Sequence, residues 1–184
     1  MVIGLWILIA VLALLVIMFI SYYNRFTVLS NRIENSLGQI DVQLKRRADL
    51  IPNLIETVKG FAKHEKEAIK AVTDARKALV GAKGIEEKVK ADRTLEGALG
   101  KLFAIAEGYP DLKANTNFLE LQRELTATED KVAYSRQFYN DSILDYNNKC
   151  KTFPGKIFAG MFGFKEKEYL KITEAERKPV NVKF

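Results

Sequence analysis

The sequence is poor in the residues that build disulfide, metal and redox sites. It contains one cysteine, Cys150, and one histidine, His64, among 184 residues. A single cysteine excludes an intramolecular disulfide and suits a reducing compartment. A helical zinc or di-iron site needs at least two histidines, or Glu-x-x-His pairs on facing helices. We therefore expect neither a metal nor a cofactor.

Charge is missing from residues 1–24, which begin with the apolar run MVIGLWILIAVLALLVIMFI. At about 1.5 Å per residue, a helix of this length crosses the roughly 30 Å hydrocarbon core of a bilayer. A cleaved signal peptide is the rival interpretation, but the run lacks a basic start and ends in bulky residues where cleavage needs small ones. We predict a permanent single-pass anchor. Its representative residues are Val2, Leu5, Trp6, Leu12 and Ile20.

The basic residues nearest to this run all follow it. Since lysine and arginine remain on the cytoplasmic side of a membrane, this asymmetry predicts an outside N-terminus and a cytoplasmic remainder. The formal net charge of +6 suits an anionic lipid surface, although a solvated helical surface with a mild excess of lysine also accounts for it. The basic residues that follow the apolar run most closely are Arg25, Arg32, Lys45, Arg46 and Arg47.

Beyond the apolar run, the sequence has a helical period and no segment that alternates as a β-strand does. Apolar residues recur every three or four positions over residues 28–80, which predicts one helix there. A breaker cluster, GAKG at 81–84, precedes a second helix that ends at Pro110. Asp111 is a suitable N-cap for a third long helix over 111–149.

These patterns predict an all-α protein. Its N-terminal transmembrane helix is followed by an elongated up-and-down antiparallel bundle of three to four helices. We expect an anchor over 1–24, a long-helix bundle over 25–152, and a Gly/Phe-rich capping segment with a polar tail over 153–184.

The Gly/Phe-rich segment crowds apolar side chains among glycines and lysines. One interpretation is a cap that closes the end of the bundle. The other is a surface that contacts the membrane or a neighbouring subunit. The residues concerned are Phe153, Ile157, Phe158, Met161, Phe162 and Phe164.

The stretch KRRADLIPN at 45–53 combines dense charge with a proline inside the first predicted helix. Pro52 has no amide hydrogen and its ring clashes with the carbonyl of Ala48, so we expect a kink, with Asp49 placed to cap a helix that restarts at Pro52. No nucleophile–base arrangement, phosphate-binding glycine loop or H-E-x-x-H motif accompanies it. We predict a packing seam without enzymatic chemistry.

Nucleic acid is not expected as a partner. Basic residues are interspersed with acidic ones, and no basic stripe is interleaved with exposed aromatic residues.

Two long segments of this sequence resemble the bacterial LemA family. They are QIDVQLKRRADLIPNLIETVKGFAKHE at 39–65 and the stretch from Leu112 to Leu170, which begins LKANTNFLELQRELTATEDKVAYSRQ. The resemblance implies a single-pass protein of the bacterial inner membrane with a cytoplasmic up-and-down helical bundle, and it implies no enzyme activity. Similarity to a magnetosome-membrane protein implies a role in membrane shaping or organisation for some relatives.

The family motif also implies which polar residues matter. We hypothesise that Arg46 or Arg47 pairs with a carboxylate of the last long helix and fixes the register of the bundle, or that this set contacts another copy of the chain. The set comprises Arg46, Arg47, Asp49, Pro52 and Asn53 on the first helix, and Glu129, Arg136, Tyr139, Asn140 and Tyr146 on the last.

The leading functional hypothesis is a non-enzymatic, membrane-anchored scaffold that forms a homo-oligomer and organises or shapes the inner membrane. A bundle of three or four helices has a thin core, so lateral association would bury further apolar surface. The alternative is an adaptor that recruits a partner membrane protein in membrane quality control. An enzyme built on Glu129, Arg136 and Tyr139 would need a pocket where these three converge.

Overall fold

The computed structural model describes residues 2–170 and contains only helices, turns and irregular segments over that range. This confirms the predicted all-α class, with a long apolar N-terminal helix followed by a helical bundle. The helices are α1 (Val2–Phe61), α2 (Lys66–Gly81), α3 (Ile85–Ala106), α4 (Pro110–Lys113), α5 (Thr116–Lys151) and α6 (Gly155–Phe162).

The chain divides into two compact units, and α1 and α5 contribute residues to both. One unit, here called the bundle unit, is Ser36–Gln137. The other, here called the aromatic unit, combines the chain up to Asn35 with the chain from Phe138 onward.

In the bundle unit, successive long helices run in opposite directions. The helix α2 returns along α1, since Arg76 contacts Ala48. The helix α3 then follows the direction of α1, because Lys88 pairs with Asp41 near its start and Tyr109, just beyond its end, donates to Glu65. Apolar residues at helical spacing fill the space between the helices. The buried ones include Ile40, Leu44, Ile51, Leu54, Val58, Val72, Leu79, Leu95, Leu99, Leu102, Leu125 and Val132.

The prediction of one helix over residues 28–80 is wrong. The helix α1 ends at Phe61 and α2 begins at Lys66. Between them the backbone turns, with Glu65 N donating to Ala62 O. Ala62 lies at this turn and is buried, so the apolar spacing continues through the reversal and periodicity alone predicts a continuous helix.

The expected start of the last long helix is also wrong. Asp111 lies inside the one-turn helix α4, which has Pro110 at its first position. The helix α5 starts later, and the side chain of Asn115 accepts a hydrogen bond from Phe118 N at 3.0 Å. Asparagine at this position satisfies a free amide of the first turn, which is the role predicted for Asp111.

In the aromatic unit, α1 and α5 run antiparallel. Tyr22 lies under the ammonium group of Lys149, and Arg32 pairs with Asp145 at 3.2 Å. The core of this unit consists of Phe26, Leu29, Ile33, Ile143, Tyr146, Cys150 and Ala159. Burial raises the pKa of Tyr146 to about 12.

The segment after α6 is held against α5 by two asparagine side chains. Asn147 donates to Lys167 O at 2.8 Å and accepts from Lys167 N at 2.9 Å. Asn140 makes the same pair of bonds to Leu170, at 3.2 and 2.9 Å. These bonds pair the backbone N–H and C=O groups of two residues in a segment without regular secondary structure.

The N-terminal part of α1 is an apolar surface. All residues from 2 to 17 are exposed. Trp6 is 65% exposed and Leu12 54%. The described chain thus has one helix long and apolar enough to cross a membrane.

Candidate functional site

The proline in α1 leaves a gap in the helical hydrogen bonds, and another helix fills it. The helix α1 passes through Pro52 without ending, so it does not restart there as expected. Because Pro52 has no N–H, the carbonyl of Ala48 loses its partner within the helix. Arg76 Nε of α2 donates to this carbonyl at 2.8 Å. The proline therefore creates a binding point for a neighbouring helix.

Replacing Arg76 with methionine should lower the free energy of unfolding by about 1–3 kcal/mol, because it leaves the Ala48 carbonyl without a partner. In a Pro52→Ala background, the restored amide of residue 52 can bond to this carbonyl, so the same replacement should have a smaller effect. Urea unfolding of the four chains of this double-mutant cycle measures the coupling. Equal losses in both backgrounds would contradict this role of Arg76.

An ion cluster centred on the buried Arg47 joins three helices of the bundle unit. Only 1% of Arg47 is exposed. Its Nη1 donates to Asp92 Oδ1 of α3 at 3.0 Å, and its Nη2 donates to Glu129 Oε2 of α5 at 3.1 Å. One guanidinium thus fixes α1, α3 and α5 relative to one another through two carboxylates.

Burial governs the electrostatics of this cluster. It raises the pKa of Asp92, while the charge of Arg47 acts in the opposite direction and Glu96 adds to the increase. It likewise raises the pKa of Glu129, again against the effect of Arg47. The positive charge of Arg47 thus opposes the effect of burial on both carboxylates.

The neighbouring arginine makes a different kind of contact. Arg46 Nη2 lies 2.8 Å from Glu124 Oε2, but both side chains are largely exposed, at 50% and 43%. The hypothesised pairing of an arginine with a carboxylate of the last long helix is therefore present for both arginines. Arg47 itself is buried, although its α5 partner Glu129 is 45% exposed, and its role in register stays a prediction.

The remaining predicted residues do not gather around Arg47. Asn53 is exposed, and Asp49 lines a groove described below. Tyr139 and Asn140 belong to the aromatic unit, where Asn140 holds Leu170. Arg136 is the exception, since its charge lowers the pKa of Asp92.

Sequence reasoning missed Asp92, the most buried acid of the cluster. A signal was available, because Asp92 lies three residues after Val89 and three before Leu95, on the apolar face of α3. A carboxylate at a core position of a helix indicates a buried cationic partner.

A groove with a volume of about 350 Å³ lies beside the Ala48–Arg76 contact. Its apolar surface comes from Leu44, Ala48, Leu79 and Val80, and its charged lining from Asp41, Lys45, Asp49, Arg76 and Lys88. Within residues 2–170, no group of three or more His, Cys, Asp or Glu side chains is arranged to hold a metal ion.

The Gly/Phe-rich segment divides its six predicted residues between two environments. Phe158 stacks on Tyr22 with ring centroids 4.6 Å apart, and Phe162 meets Phe19 edge-on at 4.7 Å. The other inward residue, Phe164, stacks on Phe26 at 4.8 Å. In contrast, the outward residues are 84%, 54% and 63% exposed, and they are Phe153, Ile157 and Met161.

This chain is similar to magnetosome proteins and to a protein named LemA. Magnetosome protein MamQ of Magnetospirillum gryphiswaldense is 27% identical over 184 residues, which covers 86% of this chain and 68% of the relative. Magnetosome protein MamQ 2 of Paramagnetospirillum magneticum is 26% identical with the same coverage. Protein LemA of Metamycoplasma hominis is 27% identical over 156 residues, covering 82% of this chain and 69% of the relative.

The family model described as LemA family matches residues 36–184. This range includes the whole bundle unit, with Arg47, Asp92 and Glu129. The chain therefore belongs to the LemA family.

Proposed function

We propose that this protein is a non-enzymatic scaffold, anchored in the bacterial inner membrane by α1 and assembled as a homo-oligomer that organises the membrane. The observation that carries the proposal is the composition of α1. One helix supplies both an apolar run exposed over residues 2–17 and, further along, the buried arginine that joins three helices.

The apolar run supports anchoring. Large exposed apolar surfaces are rare on soluble monomers and mark contacts with a membrane or with protein. Twenty residues without charge suit a complete crossing, and the basic residues that follow favour a cytoplasmic bundle.

The arrangement of charges supports a structural role. Arg47 uses two of its nitrogens to bind carboxylates of neighbouring helices, and Arg76 caps a backbone carbonyl. These charged groups act on the protein itself. Likeness to proteins named as magnetosome proteins also supports a role in organising a membrane.

Exposed apolar residues outside the anchor support self-association. Single ones are common on any protein, but several on the long helices offer surface for packing against a second copy. They include Val28, Val42, Val80, Leu119, Tyr134 and Leu144.

The test is the mass of the full-length protein in detergent-free lipid particles, measured by light scattering beside a variant that lacks residues 1–24. We expect a discrete assembly of several copies for the full chain and a smaller species for the truncated one. A monomer in both forms would overturn the scaffold.

An adaptor is the second candidate, and the groove beside Ala48 favours it. The groove combines an apolar surface with charges of both signs, which suits a peptide segment of a partner membrane protein. A photo-crosslinking amino acid at Val80, which is 64% exposed, should form adducts with a partner other than the protein itself. Adducts only between copies would favour the scaffold.

A further inference from the structure

The helix α6 lies at the level where the apolar run of α1 ends. Its aromatic residues contact Phe19 and Tyr22, and Phe164, just beyond its end, contacts Phe26. The apolar run of α1 ends at Ile20. Seven residues of helix extend over about 10 Å. The headgroup layer on each side of a bilayer is of similar depth, about 5–8 Å, since the total thickness of about 40–45 Å includes a core of roughly 30 Å.

The outward side of this segment is apolar. We call Phe153, Ile157 and Met161 the α6 outer face. Ile157 and Met161 are four residues apart on α6, so they share one side of the helix, and Phe153 lies two residues before its start. All three are more than half exposed. The helix has eight residues, which is far too short to cross a bilayer. A short helix with one apolar side suits the interface between lipid and water.

The segment that carries the outer face is rich in lysine. Residues 149–167 contain five lysines and one glutamate. Lys149 lies over the Tyr22 ring and Lys151 pairs with Glu166. Lys156 and Lys165, which lie close to the outer face in sequence, are exposed. Clustered lysines beside a membrane-spanning helix attract anionic headgroups.

We propose that the α6 outer face inserts into the headgroup layer of an anionic bilayer, beside the apolar run of α1. Tyrosine and tryptophan rings concentrate at this depth of a membrane, which suits Tyr22. The contacts of Phe158 with Tyr22 and of Phe162 with Phe19 hold α6 beside these residues. The proposal rests on the membrane anchoring proposed above. It assigns the outer face to lipid, so a second copy or another protein is not its occupant.

Tryptophan fluorescence tests this depth in the full-length protein. The native Trp6 is replaced by phenylalanine, and a single tryptophan is introduced as Ile157→Trp or, in a second variant, Met161→Trp. The matched control is Tyr134→Trp in the bundle unit, where the native residue is 68% exposed. Each variant is reconstituted into phosphatidylcholine vesicles with or without phosphatidylglycerol and with a spin-labelled lipid.

We expect the tryptophans at 157 and 161 to emit at shorter wavelength than the one at 134, and to be quenched most strongly by a label near the headgroups. Quenching should increase with phosphatidylglycerol, and Lys156→Gln with Lys165→Gln should remove that increase. Water-like emission at both positions would overturn the proposal. Shielded emission without quenching by lipid would also overturn it, because protein would then cover the face.

Lipid quenching of the native Trp6 fluorescence tests the anchor independently of the α6 contact. In the otherwise unchanged protein, quenching of Trp6 by lipid together with unquenched probes at 157 and 161 leaves the anchor standing and refutes the α6 contact. If Trp6 is also unquenched, both the anchor and the α6 contact are wrong.

Discussion

Replacing Arg47 with methionine is expected to lower the free energy of unfolding by about 3–5 kcal/mol. The replacement keeps most of the apolar stem but removes the guanidinium that binds Asp92 and Glu129. The side chain of Asp92, only 7% exposed, would then be a buried acid without its cation. The full chain in detergent, unfolded with urea and followed by circular dichroism, gives the measurement.

The adjacent arginine supplies a matched control. Arg46→Met removes the same charge from the same helix, but its partner Glu124 and Arg46 itself are largely exposed. We therefore expect a loss of only about 0–1 kcal/mol. Similar losses for the two variants would show that the charge, rather than its burial, decides the effect.

A second replacement distinguishes loss of the ion pair from loss of packing. Adding Asp92→Leu to Arg47→Met replaces a buried charge with an apolar side chain on the same face of α3. Because the stranded charge is then gone, the double variant should recover much of the lost stability. A double variant less stable than Arg47→Met would refute this explanation.

Replacing Gly155 with alanine is expected to lower the free energy needed to open the aromatic unit by about 1–3 kcal/mol. The reason is that an added methyl group strains a close contact. A Cβ atom at this position would overlap the backbone carbonyl oxygen of Lys149, which has no freedom to move aside as a side chain does. The chain would have to shift where it turns from α5 into α6. The packing of Phe158 on Tyr22 and of Phe164 on Phe26 should weaken as a result.

The single native cysteine reports this opening. Cys150 is buried in the same core as Ala159 of α6, and burial raises the pKa of its thiol, so it should react slowly with iodoacetamide. Gly155→Ala should accelerate the reaction by roughly tenfold for each 1.4 kcal/mol lost. The rate can be measured on Cys150 itself, without introducing another cysteine.

Another glycine of the same helix is the control. A Cβ at Gly160 meets no atom within 4 Å. Gly160→Ala should therefore leave the alkylation rate unchanged or slow it, since alanine favours a helix by about 0.5–1 kcal/mol over glycine. Acceleration by both variants would show that α6 is sensitive to any added side chain, against the specific overlap at Gly155.

Local pattern was enough to predict the helical class and the apolar run. Apolar residues at intervals of three and four, with breakers near 81–84 and at Pro110, predict α3 and most of α5. The exceptions are instructive. The reversal after Phe61 and the cap by Asn115 depend on contacts between helices and on backbone conformation, which a periodic pattern does not record.

The candidate site was predicted only in part, for a similar reason. The resemblance pointed to Arg47 and Glu129 but not to Asp92 or Arg76, which come from α3 and α2. A charged residue shows its chemistry in the sequence, but its partner and its burial depend on how separate helices pack. Arg46 and Arg47 are neighbours in the chain, and only packing makes one exposed and the other buried.

The sequence by itself determined the all-α class, the uncharged N-terminal run and the family, because spacing, composition and motif are properties of the chain alone. Only the tertiary structure decided that Arg76 completes the hydrogen bonding of Ala48, and that Phe158 faces α1 while Ile157 and Met161 face outward. The physical reason is that burial, pKa and hydrogen-bond satisfaction arise from neighbours distant in sequence, which exist only after the helices have packed.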